Sequence, residues 1–74
     1  MENFLLKFKD QFIDADSIEI IGDTKFRHIG SYDSLTGMAI IVMIDDDYGV
    51  RIDDEVYKSL QTPKEIFDYI NSNK

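Results

Sequence analysis

Apolar residues change their spacing several times along this chain, and each change marks an element. Phe4, Leu5, Phe8 and Phe12 fall at i, i+1, i+4 and i+8, one stripe on a 3.6-residue period. Lys7, Lys9 and Asp10 lie off it, so the spacing predicts a helix over residues 3–13. Residues 14–33 carry no helical period. Ile18, Ile20, Ile21, Phe26 and Ile29 are spaced to pin this long loop to a core, and the alternation in SIEII also suits a short strand. Residues 38–44, MAIIVMI, form a continuous apolar run rich in β-branched residues, a pattern shared by buried strands and buried helices. As a strand it would be an aggregation-prone window. Its surroundings favour a helix over residues 34–48. Asp33 is suited to cap the N-terminus, Gly49 sits where a left-handed residue would close the helix, and the fifteen residues between them are helix length. Gly37 opposes this by about 1 kcal/mol relative to Ala.

Residues 53–60 suit a short helix that turns Val56, Tyr57 and Leu60 inward. In TPKE, Thr62 serves as N-cap, Pro63 takes the first helical position and Glu65 stands three residues past the cap, a capping box. Ile66, Phe67 and Ile70 supply the stripe of that last helix. The expected fold is all-α: a small four-helix bundle of three longer helices plus one short helix, with a long loop between the first two helices.

Length and composition narrow the picture. Seventy-four residues make one small domain, residues 1–74, which buries only ~60–65% of its unfolded surface. With no cysteine there is no disulfide and no thiolate metal site, and a reducing cytoplasm is the expected compartment. The start, MENFLLKFKDQFI, lacks a basic region and is interrupted by charge, so it reads as neither signal peptide nor anchor. No apolar run approaches the ~20 residues of a membrane span. Fifteen acidic residues against eight basic give a net charge of −7, which repels nucleic acid and anionic lipid and attracts basic protein surfaces.

Catalytic constellations are quickly exhausted. One histidine, His28, and no cysteine exclude a Cys–His pair. Ser34, His28 and Asp33 can be written as a triad, but so short a chain offers almost no cleft and no evident oxyanion hole. His28 reads as a solvated loop residue. The acidic stretch DDDYGVRIDDE fails as a calcium loop: counting from Asp45, Gly49 falls where an oxygen ligand is needed and Glu55 falls one place short of the final ligand. No catalytic residue and no metal site are expected.

Three features remain, all on residues 33–48. Asp45, Asp46 and Asp47 would fill the last helical turn, where the helix dipole disfavours negative charge by ~0.3–1 kcal/mol each. A docking surface for a basic partner accounts for a choice that local stability does not. If Ile40, Ile41, Ile44 and Tyr48 face inward, Leu35, Met38 and Val42 form a second stripe at i, i+3 and i+7. That stripe either packs beneath the long loop or stands open as a contact site, where Met suits several partners. Ser34 would be the first helical residue, its hydroxyl directed outward among unpaired backbone N–H groups that favour a phosphate ester. A serine that merely begins the helix is the alternative.

Residues 33–73, DSLTGMAIIVMIDDDYGVRIDDEVYKSLQTPKEIFDYINSN, resemble the C-terminal two-thirds of acyl carrier proteins. The pieces fall in order without a gap: D-S-L, a fifteen-residue helix ending in an acidic triplet and aromatic-Gly, an I-x-D-E helix start, then T-x-x-x-x-x-D-Y-I-N. The N-terminal part fits in outline, although Gly30 lies one residue further from Asp33 than is usual in the fatty-acid carriers. Tyr32 ahead of D-S-L looks more like free-standing carriers of specialised or cell-surface polysaccharide pathways.

The resemblance implies a monomeric four-helix carrier whose Ser34 takes 4′-phosphopantetheine from coenzyme A through a separate Mg²⁺-dependent phosphopantetheinyl transferase. The arm's thiol would hold acyl or aminoacyl groups as thioesters for a loading ligase and acyl-transferring enzymes. Asp33, Leu35, Met38, Val42 and Asp46 match positions on the family's recognition helix. Fatty-acid carriers keep acidic residues where this chain has Thr36 and Ala39, which implies a dedicated partner set. Two other readings stand beside it: an unmodified acidic adaptor for basic protein partners, and a protein self-associating through Leu35, Met38 and Val42.

Overall fold

A computed structural model describes residues 1–73 as four helices: α1 (Glu2–Lys9), α2 (Ser34–Tyr48), α3 (Asp54–Ser59) and α4 (Pro63–Ser72). No strand occurs among the described residues, so the run at residues 38–44 is helical. The aromatic stripe of α1 and the turn after it carries the core: Phe4, Phe8 and Phe12 are buried, and Phe8 meets Phe26 of the long loop edge-on at 5.1 Å between ring centroids. Burying a Phe side chain contributes about 1.5–3 kcal/mol relative to exposure, so these rings weigh heavily in so small a domain. Ile40 and Ile44 of α2 and Ile66 and Ile70 of α4 complete the interior, all four fully buried.

The expected first helix is too long. It stops at Lys9, and Ile13 is exposed. Past Lys9 the backbone tightens: the Gln11 N–H reaches the Phe8 carbonyl at 3.2 Å, the Phe12 N–H reaches the Lys9 carbonyl at 3.0 Å, and the Gln11 amide caps the Lys7 carbonyl at 2.9 Å. These shorter-range bonds satisfy carbonyls that a helix end leaves orphaned. They also let Phe12 turn inward against Phe8 and Tyr32.

The loop from residue 10 to residue 33 is pinned largely as expected, by buried Ile20 and Phe26 and half-buried Ile18 and Ile29. Ile21 is the exception, and it faces solvent. Adjacent residues in extended backbone point to opposite sides, and Ile20 takes the inner one. The alternation in SIEII is therefore real, but no neighbouring chain pairs with it. Side chains and backbone tie the loop down instead: Ser31 Oγ donates to Asp14 Oδ1 at 2.6 Å, and the Lys64 N–H donates to the Gly22 carbonyl at 3.0 Å.

The helix boundaries after residue 33 follow their caps. Asp33 accepts the Thr36 N–H, Asp53 accepts the Val56 N–H and Thr62 accepts the Glu65 N–H. The box at α4 is shifted by one residue, because the Glu65 carboxylate takes the N–H of Gln61, the residue before the cap, at 2.8 Å. Gly49 closes α2 in the left-handed region at φ 68° and donates its N–H to the Asp45 carbonyl, a conformation that costs a residue with a Cβ.

Candidate functional site

Ser34 is the first residue of α2 and is exposed, and its hydroxyl makes no hydrogen bond within the described residues. Asp33 sets the helix start beside it. One carboxylate oxygen of Asp33 accepts both the Thr36 N–H at 2.8 Å and the Thr36 hydroxyl at 3.0 Å. Those bonds, the backbone one first, hold the Asp33 carboxyl below its ordinary range and outweigh a small opposing desolvation. Asp33 is thus a fixed anion committed to the cap and a poor proton acceptor for its neighbour. Thr36 is buried and spends its hydroxyl on the cap.

The second stripe stands open. Leu35, Met38 and Val42 are 74%, 63% and 55% exposed, while Ile40 and Ile44 on the opposite face are sealed. The long loop therefore does not cover the stripe, and its apolar edge begins beside Ser34. At the other end of α2, Asp45, Asp46 and Asp47 are all exposed. Arg51 stands 3.9 Å from Asp45 and Lys7 stands 3.7 Å from Asp47, contacts so exposed that each is worth little. Asp46 has no ion-pair partner among the described residues. The expected site residues thus share one helix, with the hydroxyl at its head, the apolar stripe along it and the anions at its foot.

A groove of about 420 Å³ that the spacing did not reveal opens on the other flank of Ser34. Its walls include Tyr32, Met38 and Ile41, with Arg27, Asp54, Tyr57 and Lys58 opposite. The hydroxyls of Tyr32 and Tyr57 meet at 3.0 Å. Burial first, and then the Tyr32 hydroxyl, push the Tyr57 phenol well above its ordinary range, so it stays neutral. Arg27 holds the far wall: its two terminal nitrogens donate to the Tyr57 and Leu60 carbonyls, both at 2.6 Å, and its guanidinium lies over the Phe26 and Tyr57 rings at 4.8 and 4.7 Å. That fork satisfies the last carbonyls of α3. Gly37 was the available signal, since a glycine in the middle of a helix implies a close approach. A Cβ there would lie 2.7 Å from the Tyr32 hydroxyl.

His28 is exposed, and among the described residues no three His, Cys, Asp or Glu side chains gather to hold a metal. No helix among them is long and apolar enough to cross a membrane.

Residues 10–70 match the family model described as the phosphopantetheine attachment site. The chain belongs to the acyl carrier family. Over 61 residues it is 38% identical to the actinorhodin polyketide synthase acyl carrier protein of Streptomyces coelicolor, covering 78% of this chain and 70% of that one. It is 34% identical to the acyl carrier protein of Micrococcus luteus, over 76% of this chain and 69% of the relative. It is 31% identical to the chloroplastic acyl carrier protein 2 of Spinacia oleracea over 86% of this chain, which spans about half (48%) of that relative's length. No solved structure matches the chain. Acyl carrier proteins are not enzymes, and the family's cofactor is covalent 4′-phosphopantetheine. The residues at the head of α2 fit such a group: a free hydroxyl at a helix N-terminus receives a phosphodiester favourably.

Proposed function

We propose that residues 1–74 form one carrier domain that bears 4′-phosphopantetheine on Ser34 and presents acyl or aminoacyl thioesters to partner enzymes. The observation that carries this reading is the exposed, unbonded hydroxyl of Ser34 at the first position of α2, in a chain matched by the phosphopantetheine attachment family. In the modification, a bond forms from Ser34 Oγ to the pantetheine-bearing phosphorus of coenzyme A as the pyrophosphate P–O bond breaks. The nucleotide departs with its phosphate, and the hydroxyl proton passes to a base on the transferase, because Asp33 is committed to its cap.

The open Leu35–Met38–Val42 stripe, with Asp33 at its head and Asp45, Asp46 and Asp47 at its foot, is the docking face for that transferase, for a loading ligase and for acyl-transferring enzymes. Apolar contact at the centre with charge at the rim is the usual make-up of a transient interface. With Thr36 and Ala39 where the resemblance leads one to expect acidic residues, the first half of α2 carries no acidic group, which favours partners other than the standard fatty-acid enzymes. A cytoplasmic monomer suits the acidic surface and the cysteine-free chain.

Intact mass after coexpression with a broad-specificity phosphopantetheinyl transferase tests the assignment. The expected result is one added phosphopantetheine, abolished by Ser34→Ala. A mass left unchanged in the wild-type chain would replace the carrier with an unmodified acidic adaptor.

A further inference from the structure

The groove beside Ser34 ends on a floor made by two phenols. Tyr32 approaches α2 so closely at Gly37 that a Cβ there would meet its hydroxyl at 2.7 Å, and that hydroxyl bonds Tyr57 at 3.0 Å. Behind the pair stands Phe26, fully buried, its ring 5.7 Å from that of Tyr32 and 6.1 Å from that of Tyr57. An alkyl chain entering the bundle from this flank of Ser34 would have to part the hydroxyls and displace three packed rings. Parting them strands two polar groups in apolar surroundings, an unfavourable exchange for an alkyl guest. On the solvent side the rim is charged, with exposed Asp54 and Lys58. Two phenol protons share one mutual bond, so one proton remains for another acceptor.

We propose that the Tyr32–Tyr57 hydroxyl pair bars the bundle interior to long alkyl chains, so that the acyl or aminoacyl cargo stays outside it, in the open groove. This deepens the carrier reading and rests on it. The pair acts on the cargo through shape and hydrogen bonding and takes no part in making or breaking the thioester.

The test loads the chain with acetyl- and octanoyl-phosphopantetheine from the corresponding coenzyme A thioesters and follows backbone amide shifts by NMR. Intact mass is read first: failure to add either group would overturn the carrier reading itself, and this proposal with it. In the loaded wild-type chain, octanoyl is expected to move amides along the groove, such as Met38, Ile41 and Lys58, and to leave Ile44, Ile66 and Ile70 where acetyl leaves them. In Tyr32→Ala, octanoyl is expected to shift those three core amides and raise the melting temperature. Tyr57→Phe, which keeps the ring and removes the bridge, serves if Tyr32→Ala does not fold. Core shifts in the octanoyl wild-type chain, or their absence in every folded variant, would overturn the role given to the pair.

Discussion

At Gly37 two preferences compete for one residue. Helix propensity favours Ala by about 1 kcal/mol, whereas the Tyr32 hydroxyl occupies the space a Cβ would need. Overpacking of this kind typically costs ~1–3 kcal/mol, and the hydroxyl cannot retreat freely because Tyr57 holds it. Gly37→Ala is therefore expected to destabilise the chain on balance. In a Tyr32→Phe background the nearest remaining atom is the ring carbon at 3.5 Å, an ordinary contact. There the same substitution should become neutral or stabilising by up to ~1 kcal/mol. Urea unfolding of the four proteins closes the cycle, and the loss of the Tyr57 bond cancels because both members of that comparison lack it. An equal effect of Gly37→Ala in both backgrounds would show that the hydroxyl is not what requires glycine.

Helix α2 has opposite arrangements at its two ends. Its N-terminus is stabilised by the anionic cap of Asp33, while its last turn carries three aspartates against the dipole. Asp45 and Asp47 have cations nearby and Asp46 has none, so Asp46 is the place where stability and docking separate most cleanly. Asp46→Lys is expected to raise stability by about 0.3–1 kcal/mol at low salt and to slow modification by the transferase. Thermal melts and a timed mass assay measure the two effects; a faster or unchanged modification would remove Asp46 from the docking face. The starts of α2 and α4 were legible because each cap lies within a few residues of its partner, as Asp33 and Thr36 or Thr62 and Glu65 do. Period put Leu35, Met38 and Val42 on one stripe once Ile40 and Ile44 were assigned to the core, but it left open whether the long loop covers them, since that depends on where the folded loop runs. The end of α1 was not legible, since it depends on Phe12 turning toward Tyr32, twenty residues away. Ile21 was misplaced because extended backbone offers two faces and the spacing of isoleucines does not say which is inner. The groove escaped for the same reason at longer range: Tyr32 and Tyr57 are joined only by the folded chain, and Gly37 signalled a close approach without naming the partner.

Charge is distributed unevenly over the whole molecule. Between Asp33 and Glu55 seven acidic residues face one basic residue, Arg51, whereas the rest of the chain holds eight acidic and seven basic residues. Almost all of the net charge therefore belongs to α2, the start of α3 and their connection, the same segment that bears Ser34. In the proposed carrier function, a field so placed orients an approaching cationic surface toward the hydroxyl before contact. Steering of this kind acts on encounter and leaves chemistry at the bound serine alone. Raising ionic strength from roughly 0.01 M to 1 M shortens the screening length from about 30 Å to 3 Å, which removes long-range attraction while leaving the apolar contacts of Leu35, Met38 and Val42 in place. For modification of Ser34, kcat/KM is accordingly expected to fall several-fold over that range with kcat nearly constant. The Asp46→Lys chain should show a shallower dependence, having less field to screen. If kcat falls in parallel with kcat/KM, or if the slope is the same in both chains, the acidic segment acts locally at the bound complex and steering is not its role.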